Sequence, residues 1–403
     1  MVFSSISFIF ILLPLFLTGE ALLRLFHLAE KTVFNLPLRN AFLLAVSLLF
    51  YIWGEASDVL LLVFLGYINY YAGKFIYNNP QSHKAIYCFI GLNLAVLFGF
   101  KYAPWLISAI FPSLISKQPS LPLGISFFTF HAISYLLDIW RGQIRPSKNP
   151  VDFLTYFCMF PHLVAGPIVR YASVENDLAR RGPHAALFSY GMYRFLLGLN
   201  KKVLIANSVS YIADAAFTLA AQGELHFLDA WIGITAYTIQ IYFDFSGYSD
   251  MAIGLAAMAG FHFEENFRRP YSSASIREFW HRWHISLSSW LRDYLYIPLG
   301  GSRNGTLATY RNQLIVFFLC GLWHGADMTF IIWGLWHGLF LILERIKLGA
   351  WLTRLPAPLT RSYTMLVVMI GWVFFRADNM AVAETYLQIL FTPSLEPVML
   401  SYY

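Results

Sequence analysis

The chain has 403 residues, of which 58% are hydrophobic and 12% are charged, whereas water-soluble proteins contain roughly 45–50% apolar and about 25% charged residues. This composition excludes a water-soluble protein. The formal net charge of +6 does not indicate a nucleic-acid-binding protein, because the basic residues form short clusters between apolar runs rather than one basic face.

Apolar runs of about 20 residues, the length that crosses a bilayer, recur along the chain. They lie at 6–26, 59–77, 85–101, 121–140, 203–221, 227–259 and 329–343. Shorter apolar runs, which predict short, tilted or re-entrant helices, lie at 41–53, 151–169, 312–326 and 363–375. No internal repeat or linker divides the sequence. We therefore expect an all-α integral membrane fold, a single polytopic domain over residues 1–403 with about ten embedded helices.

Clusters of Lys and Arg predict how the spans are oriented, because cytoplasmic loops near span ends hold an excess of these residues. The residues assigned to the cytoplasm are Lys31, Arg39, Lys84, Arg141, Arg145, Lys148, Arg268, Arg269, Arg345, Lys347, Arg354 and Arg361. The acidic turn from Glu55 to Asp58 and the N-terminus are then outside. Basic residues flank the apolar run at 151–169 on both sides, and those that follow it are Arg170, Arg180 and Arg181. If both flanking loops are cytoplasmic, this run is re-entrant. Its helix is predicted to be broken by Pro161, Gly166 and Pro167.

The segment from Glu278 to Gly301, EFWHRWHISLSSWLRDYLYIPLGG, carries too much charge for a lipid-facing span. One interpretation is an interfacial amphipathic helix, with its tryptophans at headgroup depth and its cations in water. The other is the wall of a cavity, because His281 and His284 are three residues apart and would share one face of a helix.

His324 lies inside the apolar sequence CGLWHGAD. Ionisable groups at membrane depth are rare and usually face a cavity or a partner, so a functional site is the first hypothesis. The structural alternative is a neutral histidine that donates one hydrogen bond to a neighbouring helix. Gly321 and Gly325 would allow a backbone or a substrate to approach closely. Cys320 lies on the same helical face as His324, so an acyl-cysteine is conceivable, but a small buried side chain is the preferred interpretation.

The sequence YFDFSGYSD, from Tyr242 to Asp250, interrupts an apolar run with polar side chains. These groups are predicted either to form hydrogen bonds between helices or to line a substrate path. His337, in LWHGLF, is open to the same two interpretations, of which the structural one is preferred. The histidines match no zinc motif, neither HExxH nor paired CxxC, so we predict no metal site.

These motifs resemble the membrane-bound O-acyltransferase family, in particular its alginate O-acetyltransferase branch and the related D-alanyl transfer protein of teichoic acids. The main matches are FWHRWHISLSSWLRDYLYIPLGG at 279–301 and FLCGLWHGADMTFIIWGLWHG at 318–338. Further matches are MVFSS at the start, PHLVAGPIVRY at 161–171, YFDFSGYSDMAIG at 242–254 and NFRRPY at 266–271. The motifs follow the family's order from Met1 to about Arg376, with the core motifs at about 121–340.

The resemblance implies a multi-helix bundle that encloses a funnel, with some re-entrant helices. It places the catalytic histidine on His324 and a supporting histidine on His284. Neutral His324 is expected to take the proton of an acceptor hydroxyl that attacks a thioester carbonyl. His284 is expected to orient the donor or to donate a hydrogen bond to the developing oxyanion. The thioester donor is expected to be acetyl-CoA or an acyl carrier protein, with no further cofactor.

The candidate substrate-binding residues are Arg277, Arg282, Trp283, Arg292, Trp323 and Asp244. The three arginines are expected to hold donor phosphates, although ordinary positive-inside charge explains them equally well.

The resemblance also implies a location and partners. We expect a multi-pass protein in contact with membrane lipid in the inner membrane of a bacterium. It would pass acyl groups to an extracytoplasmic SGNH-type acetyltransferase and work with a polysaccharide synthesis complex that O-acetylates an alginate-like exopolysaccharide. The main alternative is a transporter or channel for a small solute, although the chain lacks the paired broken helices typical of transporters. A structural subunit of an export complex is a further alternative.

Overall fold

Helices form most of the regular structure in the computed structural model, which describes residues 2–26, 28, 31–33, 36–111, 121–180 and 185–394. The predicted cytoplasmic residue Arg181 lies outside these ranges. The first elements are α1 Leu13–Leu25, β1 Thr32–Val33, β2 Leu36–Pro37, α2 Leu38–Gly54, α3 Val59–Asn78, α4 His83–Lys101, α5 Ala103–Ile110, α6 Ile125–Trp140, α7 Pro150–Cys158, α8 Phe160–Leu163, α9 Tyr171–Arg180 and α10 Ala185–Asn200. The two short strands pair antiparallel.

The remaining helices follow in chain order. They are α11 Asn207–Gln222, α12 Phe227–Met258, α13 Ile276–Arg282, α14 Ile285–Leu291, α15 Thr306–His324, α16 Met328–Leu343, α17 Gly349–Leu352, α18 Ala357–Arg376 and α19 Met380–Leu390. Four π-helical turns within the described ranges extend or join these helices, at Phe8–Leu12, Lys201–Ala206, Arg292–Tyr296 and Glu344–Leu348.

The helices lie where the apolar runs predict them. Among the described residues, six helices are long and apolar enough to cross a membrane: Phe8–Leu25, Ala56–Asn78, His83–Lys101, Ala185–Gln222, Met328–Leu352 and Ala357–Arg376. Shorter apolar helices are Leu38–Gly54 and Ile125–Trp140. The prediction of an all-α, multi-pass membrane fold is therefore confirmed. The orientation of the spans and the funnel stay predictions.

One span is longer than the sequence predicts. The apolar run at 203–221 is the end of a helix that begins at Ala185 and reaches Gln222. Arg194 breaks the apolar pattern in the first half of this helix, but its guanidinium forms a salt bridge with Asp250. A charged residue that has a counter-ion is tolerated in an apolar environment, and for that reason hydropathy alone underestimates the helix.

The run at 151–169 contains the predicted break. α7 ends at Cys158, and Met159 has a ψ of 115°, outside the helical region. Pro161 then lies in the first turn of α8, where backbone N–H groups have no partner within the helix, so the missing N–H of proline costs no hydrogen bond. The break therefore precedes Pro161 rather than following from it. That the segment returns to the same side of the membrane stays a prediction.

Contacts between Cα atoms divide the chain into two units, each made of two stretches. Unit 1 covers Met1–Leu199 and Tyr248–Glu264, and unit 2 covers Asn200–Gly247 and Glu265–Tyr403. The expected single domain over the whole chain stays a prediction.

Unit 1 buries polar side chains in matched pairs. Arg39 donates from Nε to Glu20 at 3.0 Å and from a terminal nitrogen to the carbonyl of Ala259 at 3.3 Å. Asn69 of α3 and Asn93 of α4 exchange amide hydrogen bonds of 3.0 and 2.9 Å. Because an unpaired polar group is costly in an apolar interior, such pairs select which helices pack together.

Unit 2 contains α15 and α16, whose backbones are in close contact. A Cβ atom at Gly321 of α15 would overlap the carbonyl of Phe330, and one at Gly334 of α16 would overlap the carbonyl of Phe317. Only glycine permits this approach, which fixes the end of α15 against the start of α16. His324 is the last residue of α15.

Candidate active site

His324 is held by aromatic rings at the end of α15. The centroid of its imidazole lies 4.6 Å from Trp323, 4.9 Å from Trp333 and 5.0 Å from Phe375, each contact being edge-on. Its side chain is half-buried, whereas its apolar sequence predicts a buried one. The helix ends at this residue, and the chain becomes extended at Gly325.

His284 lies in the link between two short helices. α13 ends at Arg282, Trp283 is extended, and His284 has a φ of 43° in the left-handed region. His281 is exposed and His284 is only 2% exposed. The prediction that these two histidines share one helical face is therefore wrong, because the helix stops between them.

A sequence-distant segment holds this link in place. The backbone N–H of Arg268 donates to the carbonyl of Arg282 at 2.9 Å, and the N–H of Ile285 donates to the carbonyl of Asn266 at 3.0 Å. The two bonds lie on either side of His284. Since a left-handed conformation is unfavourable for a residue with a Cβ atom, the surrounding structure must impose it.

The side chain of Asn266 contacts the His284 ring. Its Oδ1 atom lies 3.3 Å from Nδ1 of His284, and it accepts hydrogen bonds from the backbone N–H of Ser286 at 3.1 Å and from its hydroxyl at 2.9 Å. Nε2 of His284 has no hydrogen-bond partner among the described residues. The sequence analysis assigned no role to Asn266, although it opens the motif NFRRPY.

Trp323 brings the two predicted histidines together. Its ring centroid lies 4.6 Å from that of His324 and 6.3 Å from that of His284. On another side of His284, Phe245 of α12 packs edge-on at 4.7 Å. The structure thus places His324, His284 and Trp323 in one aromatic cluster.

Two further candidate residues take structural positions. Trp283 is 4% exposed and packs at 5.0 Å from Trp372 and at 5.5 Å from Phe279. Asp244 of α12 forms a salt bridge of 2.9 Å with Lys202. Neither contact reaches a histidine of the cluster.

A cavity of about 1000 Å³ lies in unit 2 beside this cluster. Three exposed arginines, Arg277, Arg292 and Arg345, line one part of it. Buried or half-buried residues line another part, among them Ile285 and Cys320. Ile285 follows His284 directly, and Cys320 lies one helical turn before His324. The cavity therefore combines exposed cationic side chains with residues that lie near the two histidines in the sequence, although neither histidine lines it.

The arginines of this region differ in position. Arg277 and Arg292 line the cavity, and Arg292 also pairs with Asp293 at 2.7 Å. That they bind donor phosphates stays a prediction. Arg282 is not among the lining residues; it pairs with Glu278 and donates to the Ser272 hydroxyl at 2.7 Å. Arg345 also lines the cavity, but the sequence analysis used it only to predict the orientation of the spans. It is far from α13 along the chain, so the sequence did not indicate that both line one cavity.

Glu344 anchors the cavity wall. Its carboxylate accepts hydrogen bonds from the backbone N–H groups of Ile276 at 2.6 Å and Arg277 at 3.1 Å, and from the hydroxyl of Tyr363 at 3.1 Å. A carboxylate is favourable at the start of a helix, where backbone N–H groups lack helical partners. The sequence contains no signal for this contact, since Glu344 lies 66 residues after Glu278, which belongs to α13, the helix that Glu344 contacts.

The other candidates from the sequence are buried. Cys320 is 1% exposed and lines the cavity, in agreement with a small buried side chain. His337 is fully buried and packs edge-on against Trp280 at 5.2 Å, in agreement with a structural role. Among the described residues, no group of three or more His, Cys, Asp or Glu side chains is arranged to hold a metal ion.

Comparison with known proteins identifies the family of this chain. The model of the membrane-bound O-acyltransferase family matches residues 123–382, which include both histidine segments. The probable alginate O-acetylase AlgI of Pseudomonas putida is 43% identical over 398 residues, covering 95% of this chain and 79% of the relative. The peptidoglycan O-acetyltransferase of Helicobacter pylori is 35% identical over 431 residues, covering 97% and 79%. The teichoic acid D-alanyltransferase of Bacillus subtilis is 28% identical over 274 residues, covering 63% and 66%.

The matched region extends past the predicted core at about 121–340 and covers more than half of the chain. It contains the aromatic cluster and the residues that line the cavity. The chain therefore belongs to the membrane-bound O-acyltransferase family and is a multi-pass membrane O-acyltransferase.

Proposed function

We propose that this protein transfers an acetyl group from a cytoplasmic thioester to a hydroxyl acceptor, in the O-acetylation of an alginate-like polysaccharide outside the bacterial inner membrane. The relatives named for alginate and peptidoglycan O-acetylation support an acetyl group and a polysaccharide. The observation that carries the proposal is the cavity, whose exposed arginines, together with lining residues close in sequence to the two histidines, suit a long anionic donor with a reactive end.

Charge and size support the proposed binding of the donor in this cavity. Arg277, Arg292 and Arg345 would hold phosphate groups at the exposed end of the cavity, since guanidinium groups bind phosphate strongly. The thioester would then reach past Ile285 and Cys320 towards His324. A cavity of about 1000 Å³ is large enough for a donor of the size of a coenzyme A thioester.

The reaction follows from the position of His324. Its imidazole takes the proton of the acceptor hydroxyl while the hydroxyl oxygen attacks the thioester carbonyl. The carbon–sulfur bond then breaks, the acetyl group stays on the acceptor oxygen, and the thiolate takes the proton back from the imidazolium. The half-buried ring leaves room for both substrates. No metal takes part in this scheme.

The acceptor is proposed to be a partner rather than the polymer itself. The resemblance to the alginate branch supports an acyl relay to an extracytoplasmic acetyltransferase of the SGNH type, which then modifies the polysaccharide. The sequence analysis left a membrane transporter as the alternative function. It differs from the proposal in one respect that can be measured, because a transporter does not cleave a thioester.

The test is acetyl transfer by the purified protein with radiolabelled acetyl-CoA, with and without the partner and the polymer. We expect thioester turnover, with labelled polymer only when the partner is present. His324→Ala should lower kcat/KM by about 10² to 10⁴, the usual contribution of general-base catalysis. The matched control is His337→Leu, which removes a buried imidazole that lacks hydrogen-bond partners among the described residues. Near-normal turnover by a folded His324→Ala protein would refute the assignment.

A further inference from the structure

The contact between Asn266 and His284 determines which ring nitrogen of His284 carries the proton. A backbone N–H can only donate a hydrogen bond. The atom of Asn266 that faces the N–H of Ser286 must therefore be the carbonyl oxygen, which settles the orientation of the amide. The same oxygen lies 3.3 Å from Nδ1 of His284. An oxygen of this kind cannot donate, so Nδ1 must carry the hydrogen.

The opposite tautomer would be unfavourable at this position. It would bring the lone pair of Nδ1 against the lone pairs of the Asn266 oxygen and leave an Nε2–H in the buried interior. The Ser286 hydroxyl, 3.5 Å from Nδ1, is closer to the Asn266 oxygen at 2.9 Å and donates there. Two oxygens thus lie near Nδ1, which is the environment of a donor.

His284 is also uncharged. It lies outside the six candidate spans of the described ranges, and burial lowers the pKa of its imidazole to about 3. At physiological pH the ring is neutral, because this pH lies far above the pKa. A neutral ring with its hydrogen on Nδ1 presents a lone pair at Nε2. That atom is the one without a hydrogen-bond partner among the described residues.

We propose that Asn266 is a positioning residue that holds His284 as the Nδ1–H tautomer, so that Nε2 accepts a hydrogen bond from the amide N–H of a pantetheine-type thioester donor. The inference rests on the proposed function and decides between the two roles expected for His284. A lone pair at Nε2 cannot stabilise an oxyanion, which needs a donor. It can orient the donor substrate.

The amide N–H is the group that fits this acceptor. In a pantetheine thioester, a short methylene linker separates the sulfur from an amide, so its N–H lies close to the reacting carbonyl. The hydroxyl of the acceptor is engaged elsewhere, because its proton goes to His324. Coenzyme A and acyl carrier proteins share the pantetheine arm, and both would make the same contact.

The backbone at His284 agrees with a positioning function. Its φ of 43° and that of Arg269, at 49°, are the positive values found at residues other than glycine in the described part of the chain. Arg269 directly follows the segment that pairs with the link, and His284 lies in the link itself. Strained conformations of this kind persist only where neighbouring contacts impose them. Asn266 supplies such contacts from both its backbone and its side chain.

The experiment compares acetyl-CoA with an analogue in which an ester replaces the pantetheine amide nearest the sulfur. The wild-type protein should show a KM about five- to tenfold higher for the ester, as expected for one lost hydrogen bond. Asn266→Leu should abolish this difference, and Ser286→Ala, which keeps the Asn266 oxygen, should retain it. The same amide and ester thioesters are then prepared on an acyl carrier protein. The carrier that supports turnover is the natural one, and the KM ratio between ester and amide is expected on that carrier.

Asn266→Asp provides a second measurement that does not depend on a drastic change of the side chain. A carboxylate beside the ring stabilises the imidazolium, so the acid limb of the pH profile of kcat/KM should move to higher pH. A merely structural asparagine would leave that limb in place. Suppose that the wild-type protein is active and its His324→Ala variant is inactive. Equal KM values of the wild-type protein for the amide and the ester would then overturn this inference and leave the proposed function intact. Absence of wild-type turnover would instead refute the proposed function.

Discussion

At the scale of single residues, the two histidines are held in different ways. His324 is half-buried at a helix end among the edges of three aromatic rings. His284 is buried in a left-handed link and contacts Asn266 through Nδ1. The first arrangement leaves an imidazole accessible to a substrate proton, and the second restricts an imidazole to one tautomer. Their contributions to catalysis should therefore differ in size.

His284→Ala should lower kcat/KM by about tenfold, the effect of one neutral hydrogen bond, and so by much less than His324→Ala. The fold should survive, because the Asn266 oxygen keeps both of its donors from Ser286 when the ring is removed. Turnover of acetyl-CoA and the melting temperature of the purified variant check these points. Complete loss of activity in a folded His284→Ala protein would show that His284 carries the proton transfer.

At the scale of elements, the position of His324 depends on how closely α15 and α16 approach. The overlap that a Cβ atom would make at Gly321 involves a backbone carbonyl, which cannot move as a side chain can. Gly321 lies one helical turn before the end of α15. The packing of this helix pair and the placement of the His324 ring are thus set by the same contact.

Gly321→Ala should separate the two helices and shift His324. We expect a loss of about 1–3 kcal/mol in the free energy of unfolding, as for other overpacked sites, together with a lower kcat. Gly91→Ala in α4 is the matched control, since a Cβ atom there meets nothing within 4 Å. Its melting temperature should stay equal or rise slightly, because Ala favours the helix over Gly. A Gly321→Ala protein as stable and active as the control would contradict this account of the helix pair.

At the scale of the whole molecule, the orientation in the membrane decides which substrate reaches the cavity. Arg345 lines the cavity and belongs to a loop predicted to be cytoplasmic. A cytoplasmic thioester can bind there only if that prediction holds. The basic clusters of the other loops are assigned to the same side, so one labelling experiment tests the whole topology.

Cysteine labelling in sealed right-side-out vesicles measures the orientation. Cys88 is exposed, so the background is Cys88→Ser. An impermeant maleimide should label a Ser57→Cys variant at once and a Gln143→Cys variant only after permeabilisation, because both positions are exposed on loops of opposite predicted side. Ser147 is unsuitable for this test, as it is only 2% exposed. The reverse labelling pattern would place the arginines of the cavity outside and rule out a cytoplasmic donor.

The sequence by itself determined the membrane class, the approximate position of the embedded helices and the two histidine segments. Hydropathy and helix length are local properties, so an apolar run indicates a span without knowledge of its neighbours. The resemblance carried by the motifs then singled out His324 and His284. The sequence also predicted a break within the run at 151–169, but it attributed the break to Pro161, which the structure places in the first turn of α8.

Only the tertiary structure decided how those segments work together. The helix stops before His284 because residues 266–268 supply backbone partners on both sides of it, and Asn266 adds the contact that sets its tautomer. In the same way, Arg277 and Arg345 line one cavity although they are far apart in the chain. Hydrogen bonds and ion pairs join residues that are far apart in the chain, so their partners are chosen by packing rather than by the neighbouring sequence.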